Sequence, residues 1–284
     1  MTNVLKYKLI EMKTIHPSEL SPMQVQMILQ TAVSPRPIAL ASTIDKNGNV
    51  NLSPFSFFNL FSSNPPILIF SPARRVRDNS TKDTLHNVLE VPEVVIGNVN
   101  FDMVQQVSLS STEYETGVDE FIKSGLTKKP SELVKPPLIG ESPVNFECKV
   151  IEVKPLGNEG GAGNLVICEV LKIHIKEEFL NEEGNLDQKK LDLVSRLGGN
   201  WYGRTTAETL FEVPKPLVTK GIGFDQLPSE IKNSKIFTGN DLGMLANVEQ
   251  LPEGNFTADE NLHLEAQKLI LESKIEEAWK VLLK

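Results

Sequence analysis

Five basic residues, Arg36, Arg74, Arg75, Arg77 and Lys82, gather between Ser34 and Asn98 in a chain that is acidic overall. Ser80, Thr81 and Thr84 stand with them at the expected start of a helix. There, amides without intrahelical partners and the helix dipole favour an anion. The spacing of Lys82 and Thr84 would let both converge on one phosphate. The competing reading makes Ser80 a plain N-cap and the arginines solvated surface. Just upstream, SPFSFFNLF (Ser53 to Phe61) mixes hydroxyls with phenylalanines in no clear period. Such a run can give apolar contact to the faces of a flat ring and polar groups to its edge. Phe55, Phe57, Phe58 and Phe61 could equally fill a core.

Other catalytic patterns do not emerge. His16, His86, His174 and His263 have no metal-ligand spacing with each other or with Cys148 and Cys168. No nucleophile elbow or P-loop occurs. The glycine-rich GNEGGAG between Leu156 and Asn164 is flanked by strand-like runs on both sides. A dinucleotide fingerprint instead follows a strand and opens a helix, so this segment reads as a hairpin. Both cysteines sit in apolar strand-like runs, as buried thiols of a reducing cytoplasm do.

The elements that must position these residues follow from periodicity and punctuation. Ser21-Pro22 opens a capped helix that Pro35 and Pro37 stop. Ile38 to Ile44 reads as a strand, Asp45-Lys46-Asn47-Gly48-Asn49 as a hairpin turn, and Pro66 to Phe70 as a buried strand. A helix is expected over Ser80 to Glu90 and a strand over Glu93 to Val99. Short helices and loops should fill the polar stretch from Phe101 to Leu138, with long strands over Pro143 to Val153 and Asn164 to Ile175. In the last, Leu165, Ile167, Glu169, Leu171, Ile173 and Ile175 share one face. This is a mainly β chain, and many antiparallel strands with few long helices favour a barrel.

After Arg204 the texture changes. Pro214 and Pro216 mark a linker, and the residues up to Gly243 show little pattern. Ala258 to Leu283 reads as a helix with Leu264, Leu271, Ile275, Ala278 and Leu282 on one face and Trp279 beside it. The expected division is a barrel domain over 1–205 and a linker with helical extension over 206–284. With 29 basic and 37 acidic residues the net charge is −8, which opposes duplex nucleic acid as a partner. No apolar run approaches the roughly 20 residues that span a bilayer. Lys6, Lys8, Glu11 and Lys13 interrupt the N-terminal apolar positions, so no signal-peptide core is expected, and the cytoplasm is the expected compartment.

In order, SPRPIALAST, the Asn-Gly hairpin, NLSPFSFFNLFSSNPPILIFSP, RDNSTKDTLHNVLE, VVIGNVN and LVSRLGGNWYGR resemble the flavin reductase-like FMN-binding split-barrel family, from about Ile15 to Arg204. The resemblance implies a Greek-key split barrel with flanking helices and a homodimer holding FMN near the subunit interface. Carried over, Ser53, Pro54, Phe55, Ser56, Phe57, Phe58 and Asn59 would border the isoalloxazine. Ser71, Arg74, Lys82, Asp83 and Thr84 would form the phosphate and ribityl side, with Arg36 a further contact. Gly199, Tyr202 and Arg204 of the closing motif would approach the flavin from the second subunit. Many flavin reductases of this fold place a histidine near that motif; RLGGNWYGR has none. The activity implied is an NAD(P)H:flavin oxidoreductase, with free flavin or a partner oxidoreductase as electron acceptor. An FMN-bearing electron carrier or sensor is the alternative, and a pyridoxamine phosphate oxidase, which uses a similar barrel, a more distant one.

Overall fold

A long β-hairpin forms the spine of the N-terminal part. The computed structural model describes residues 12–213 and 220–283, so Lys6, Lys8 and Glu11 and the linker residues Pro214 and Pro216 lie outside the described residues. Five strands come first: β1 (Ala39–Ile44), β2 (Val50–Phe55), β3 (Phe58–Ser63), β4 (Pro66–Phe70) and β5 (Glu93–Gly97). The two-residue strands β6 (Lys128–Lys129) and β7 (Leu138–Ile139) precede the spine, β8 (Val144–Pro155) and β9 (Asn164–Ile175). The β10 (Val194–Arg196) and β11 (Tyr202–Arg204) hairpin closes the series. Seven strands make one antiparallel sheet in the order β2-β1-β5-β8-β9-β4-β3. Bulges at Glu147/Cys148 and Val150/Glu152 coil the spine. The sheet and its flanking helices make the mainly β, split-barrel architecture expected from the sequence.

The sheet buries apolar residues on both faces. Inside the curl, Cys148, Val166 and Cys168 pack with Ala41, Phe55, Phe70, Val94 and Ile96. Burial pushes the Cys148 thiol up to about 12, so it behaves as a small apolar side chain. On the other face Leu40, Leu52 and Val95 pack against Met103, Val107 and Phe121, which α3 (Val104–Ser110) and α4 (Glu120–Ser124) carry or adjoin. Further along β9, the shared face seen in the sequence leaves Leu171, Ile173 and Ile175 exposed.

Several boundaries differ from the sequence expectation. SPFSFFNLF is two strands, β2 and β3, joined by a bend at Ser56 and Phe57. The β-branched and aromatic residues around it pair with β1 and β4, which a period count along one segment cannot reveal. The first helix is as expected: α1 (Pro22–Ala32) starts at a capping box in which Ser21 and Gln24 bond each other. The α2 helix (Asp83–Glu90) starts three residues late, with Lys82 at an N-cap that makes no side-chain capping bond. Ser80 is therefore no cap. Its hydroxyl donates to Asp78 and accepts from Arg75 Nη1 at 2.8 Å.

Contacts divide the chain into two compact units, one ending at Leu210 and the other starting at Phe211. The first also holds α5 (Gln188–Leu191). The second contains α6 (Ser229–Lys232), α7 (Gly239–Leu245), α8 (Glu260–Leu271) and α9 (Ile275–Val281) around a core of its own. The single long helix expected over Ala258 to Leu283 is broken at Ser273, which adopts φ 60°. The break resets the helical phase. Of the expected apolar face, Ala278 and Leu282 are buried with Trp279 beside them and Ile275 is half-buried against the core, while Leu264 and Leu271 are exposed and His263, Ala266 and Ile270 are buried in their place. Among the described residues no helix is long and apolar enough to cross a membrane.

Candidate functional site

Two hollows meet along the loop that carries the arginines. The larger is a cleft of about 690 Å³, bounded by one side of α1, Phe57, the Ala73–Arg77 loop and Gly160–Gly161. The smaller is a polar pocket of about 270 Å³ bounded by Asn51, Ser53, Arg75, the Thr81–Thr84 segment and residues 110–116. Arg75 and Glu113 belong to both. An apolar cleft of this size with a few convergent polar groups is what small-molecule sites look like.

The arginine loop is held from behind by the glycine-rich hairpin. Arg74 N donates to Ala162 O at 2.8 Å, and Gly161 N donates to Arg74 O at 2.9 Å. Side chains would crowd this approach. A Cβ on Gly160 would lie 3.0 Å from the carbonyls of Arg75 and Val76, and one on Gly163 would lie 2.6 Å from Ser71 Oγ. GNEGGAG is thus the hairpin the sequence indicates, and its glycines buttress the site. Ser71 Oγ and Arg74 Nε are buried with no hydrogen-bond partner among the described residues. Buried polar groups rarely go unpaired, and Arg74 borders the cleft, so its Nε suits a polar ligand group, whereas Ser71 borders neither hollow.

The small pocket is arranged around Lys82. Its Nζ donates to Ser53 Oγ at 2.9 Å and lies 5.2 Å from the centroid of the Phe55 ring. Burial first, and then the charge of Arg75, hold this ammonium below the ordinary lysine value. Two cations that repel each other in a partly dry pocket gain from an anion between them. Thr84, expected to share the anion with Lys82, borders the pocket but is fully buried, and its hydroxyl donates to Asn51 Oδ1 at 2.7 Å. Asn51 Nδ2 in turn donates to Glu120 Oε1 at 2.8 Å, and Leu52 N donates to Glu120 Oε2 at 2.9 Å. Burial raises the Glu120 carboxyl against those bonds. Asp83 accepts a bond from Thr116 at 3.2 Å.

Other residues singled out in the sequence are placed differently. Arg36 is buried and committed to carbonyls. It donates to Gln30 O, to Val33 O at 2.6 Å and to Leu197 O at 2.9 Å, and its Nε reaches Ser56 Oγ at 3.4 Å. It is a clamp on α1, the β2–β3 bend and the closing motif, and its donors are not offered to a ligand. Arg204 likewise forms a two-point pair with Asp192 at 2.7 and 2.6 Å and lies 3.7 Å from the Phe101 ring centroid. Tyr202 lies beneath Arg196, and Gly199 makes the turn between them at φ 57°. Of the segment expected to border a ring, Phe57 is exposed at 41% and faces the cleft. Phe55 packs on Phe70 at 5.2 Å, Phe58 lies against the core and Pro54 pairs with Leu40. Asn59 Oδ1 accepts from Leu60 N.

Asn51, Glu113 and Glu120 escaped sequence reasoning. Glu120 joins Asn51 across 69 positions, and no local period marks Glu113 in its polar stretch. The basic cluster did contain Arg75, the residue common to both hollows. Of the histidines, His86 is exposed and bonds Thr81, His174 pairs with the buried Glu147 at 2.6 Å, and His263 is a core residue bonded to Ser234 and Thr257. Among the described residues no cluster of three or more His, Cys, Asp or Glu side chains could hold a metal ion.

The family described as flavin reductase like domain matches residues 32–192. An uncharacterized protein of Halalkalibacterium halodurans is 37% identical over 208 residues, which are 72% of this chain and 98% of that one. Among solved structures, nitrilotriacetate monooxygenase component B from Bacillus cereus is 27% identical with a TM-score of 0.66, covering 72% of this chain and 99% of that one. The 2-nitrobenzoate 2-nitroreductase of Pseudomonas fluorescens is also 27% identical, with a TM-score of 0.64 over 74% of this chain and 100% of that one. The family match ends before the second unit begins.

The clamp makes a prediction that separates it from a ligand contact. Lysine carries the charge of Arg36 without its planar fork, so Arg36→Lys should leave carbonyls of α1 and Leu197 unpaired. The expected loss is about 2–4 kcal/mol of stability in urea unfolding. Unchanged stability would contradict the clamp.

Proposed function

The chain belongs to the flavin reductase-like domain family, and from that membership we propose that it binds FMN and passes electrons from NAD(P)H through it. The observation that supports FMN most directly is the junction, at Arg75, of an apolar cleft with a small polar pocket that holds Arg75 and Lys82. A flavin mononucleotide has matching parts, a flat ring and a phosphate. The ring would lie against Phe57 and α1 in the cleft. Lys82, Ser53 and Arg75 would receive the phosphate, with Arg74 Nε at the cleft available to the polar chain between.

When bound, the flavin supplies the redox chemistry, accepting hydride from a nicotinamide at N5. The residues of the chain bind, orient and exclude water. The two cations neutralise the phosphate where burial strengthens each bond. Phe57 gives the ring an apolar surface. The arginine loop is kept in place by the hairpin behind it, so the donors are ordered before a ligand arrives.

The same reading includes a homodimer. Met23, Met27, Ile28 and Leu29 on α1 and Leu60 and Phe61 on β3 are exposed apolar side chains near the cleft or on the edge of the sheet. A second copy would cover them, and two-fold dimers are the commonest assemblies. Light scattering should then give twice the 31.5 kDa chain mass. A monomer with full flavin occupancy would count against the dimer.

Stopped-flow mixing of the FMN-loaded protein with NADH and with NADPH tests the activity. Bleaching of the flavin absorbance at a saturable rate is the expected result. Retention of FMN without reduction by either nucleotide would favour an electron carrier. The phosphate assignment has its own test, because FMN and riboflavin differ only by that group. Lys82→Ala should weaken FMN by roughly ten- to hundredfold, about 1.5–3 kcal/mol, and leave riboflavin nearly unchanged in isothermal titration. Equal losses for both flavins would move the phosphate away from Lys82.

A further inference from the structure

The pocket assigned to the phosphate carries more negative than positive side chains. Arg75 and Lys82 border it together with Asp83, Glu113, Glu115 and Glu120. One of these carboxylates, Glu113, occupies the Nε donor of Arg75 that an anion would use. Glu113 Oε1 accepts from Arg75 Nε at 2.9 Å, and its other oxygen accepts from Arg77 Nη2. These bonds, that from Arg75 foremost, hold Glu113 below the usual carboxylate range.

We infer that Glu113 is an internal competitor for the phosphate of the flavin, a specificity-determining residue that must release Arg75 for a phosphate to take its place. The inference rests on the reading that the phosphate binds beside Lys82. Three features carry it. The carboxylate and a phosphate oxygen would satisfy the same planar fork of a guanidinium, which binds either in the same geometry. Arg75 does not depend on Glu113 for its position, because its Nη1 also donates to Ser80 Oγ at 2.8 Å and to Thr81 O at 3.2 Å. Glu113 itself is 42% exposed and can move into water. The segment that bears it, between α3 and α4, is joined to α2 through Thr116 and Asp83. Exchange of one anion for another at a fixed guanidinium lowers the net affinity for the phosphate while keeping its recognition. A flavin held this way is exchangeable, so free FMN is as fitting a substrate for this site as a resident FMN is a cofactor.

The test is isothermal titration of FMN and riboflavin against the full chain and two variants, Glu113→Gln and Glu115→Gln. Both substitutions remove one negative charge from the same pocket, but among the described residues Glu115 takes no bond from Arg75 or Arg77. The expected result is that Glu113→Gln tightens FMN by roughly three- to tenfold, leaves riboflavin unchanged and exceeds the effect of Glu115→Gln. If the unaltered chain prefers FMN over riboflavin and Glu113→Gln leaves FMN unchanged or weakens it, the competitor is overturned and the phosphate site stands. Equal gains from both variants would also overturn it, reducing Glu113 to bulk charge. If the unaltered chain binds the two flavins equally, the phosphate reading fails and this inference fails with it.

Discussion

One buried guanidinium joins the pieces that frame the cleft. Arg36 follows a proline-bounded stop to α1, donates into the carbonyls that end that helix, and reaches both Leu197 and Ser56. Its backbone pairs with Arg196 in both directions, at 3.0 and 2.9 Å. Burying a charge is costly unless its hydrogen-bond capacity is met, and here the helix end, the strand bend and the closing motif meet it together. The position of α1 over the cleft is thus tied to the geometry of one side chain. The same condition explains Gly198, whose Cβ would lie 2.2 Å from Thr31 Oγ1 on α1.

A second constraint acts on the cationic side. Arg75 has to remain ordered at the junction of two hollows, and it does so through Ser80 and Thr81 in its own loop. The glycine hairpin presses on that loop from the other side, where a Cβ on Gly160 would crowd the carbonyls of Arg75 and Val76 at 3.0 Å. Lys82 is buried enough to be displaced from its ordinary value but keeps a hydroxyl and an aromatic face as partners. Opposing carboxylates keep the pocket from carrying a large unbalanced charge. The balance is local, because Coulomb terms in a half-buried site are only partly screened.

The C-terminal unit follows a separate logic. Its core is assembled from short helices whose apolar residues come from distant positions, such as Leu227, Leu245 and Trp279. A helical wheel drawn through Ala258 to Leu283 fails because Ser273 breaks the phase. The residues buried after the break, Ala278 and Leu282, were on the expected face, while Leu264 and Leu271 before it were not buried.

The sequence by itself determined the strands β1, β4, β5, β8 and β9, the hairpin turn and the basic cluster. Each is a local property: alternation along β9, an Asn-Gly pair with Gly48 at φ 91°, and Arg74, Arg75, Arg77 and Lys82 within nine positions. The order of motifs also carried the fold family, since each motif encodes one stretch of backbone. What the tertiary structure decided is which polar groups are already spent. Arg36 and Thr84, singled out with the basic cluster, and Arg204, carried over from the resemblance, bond Leu197, Asn51 and Asp192, which are 161, 33 and 12 positions away. Glu113 and Glu120 became part of the pocket for the converse reason. A hydrogen bond depends on distance in space, and separations such as the 38 positions between Arg75 and Glu113 close only when the sheet and its helices have packed.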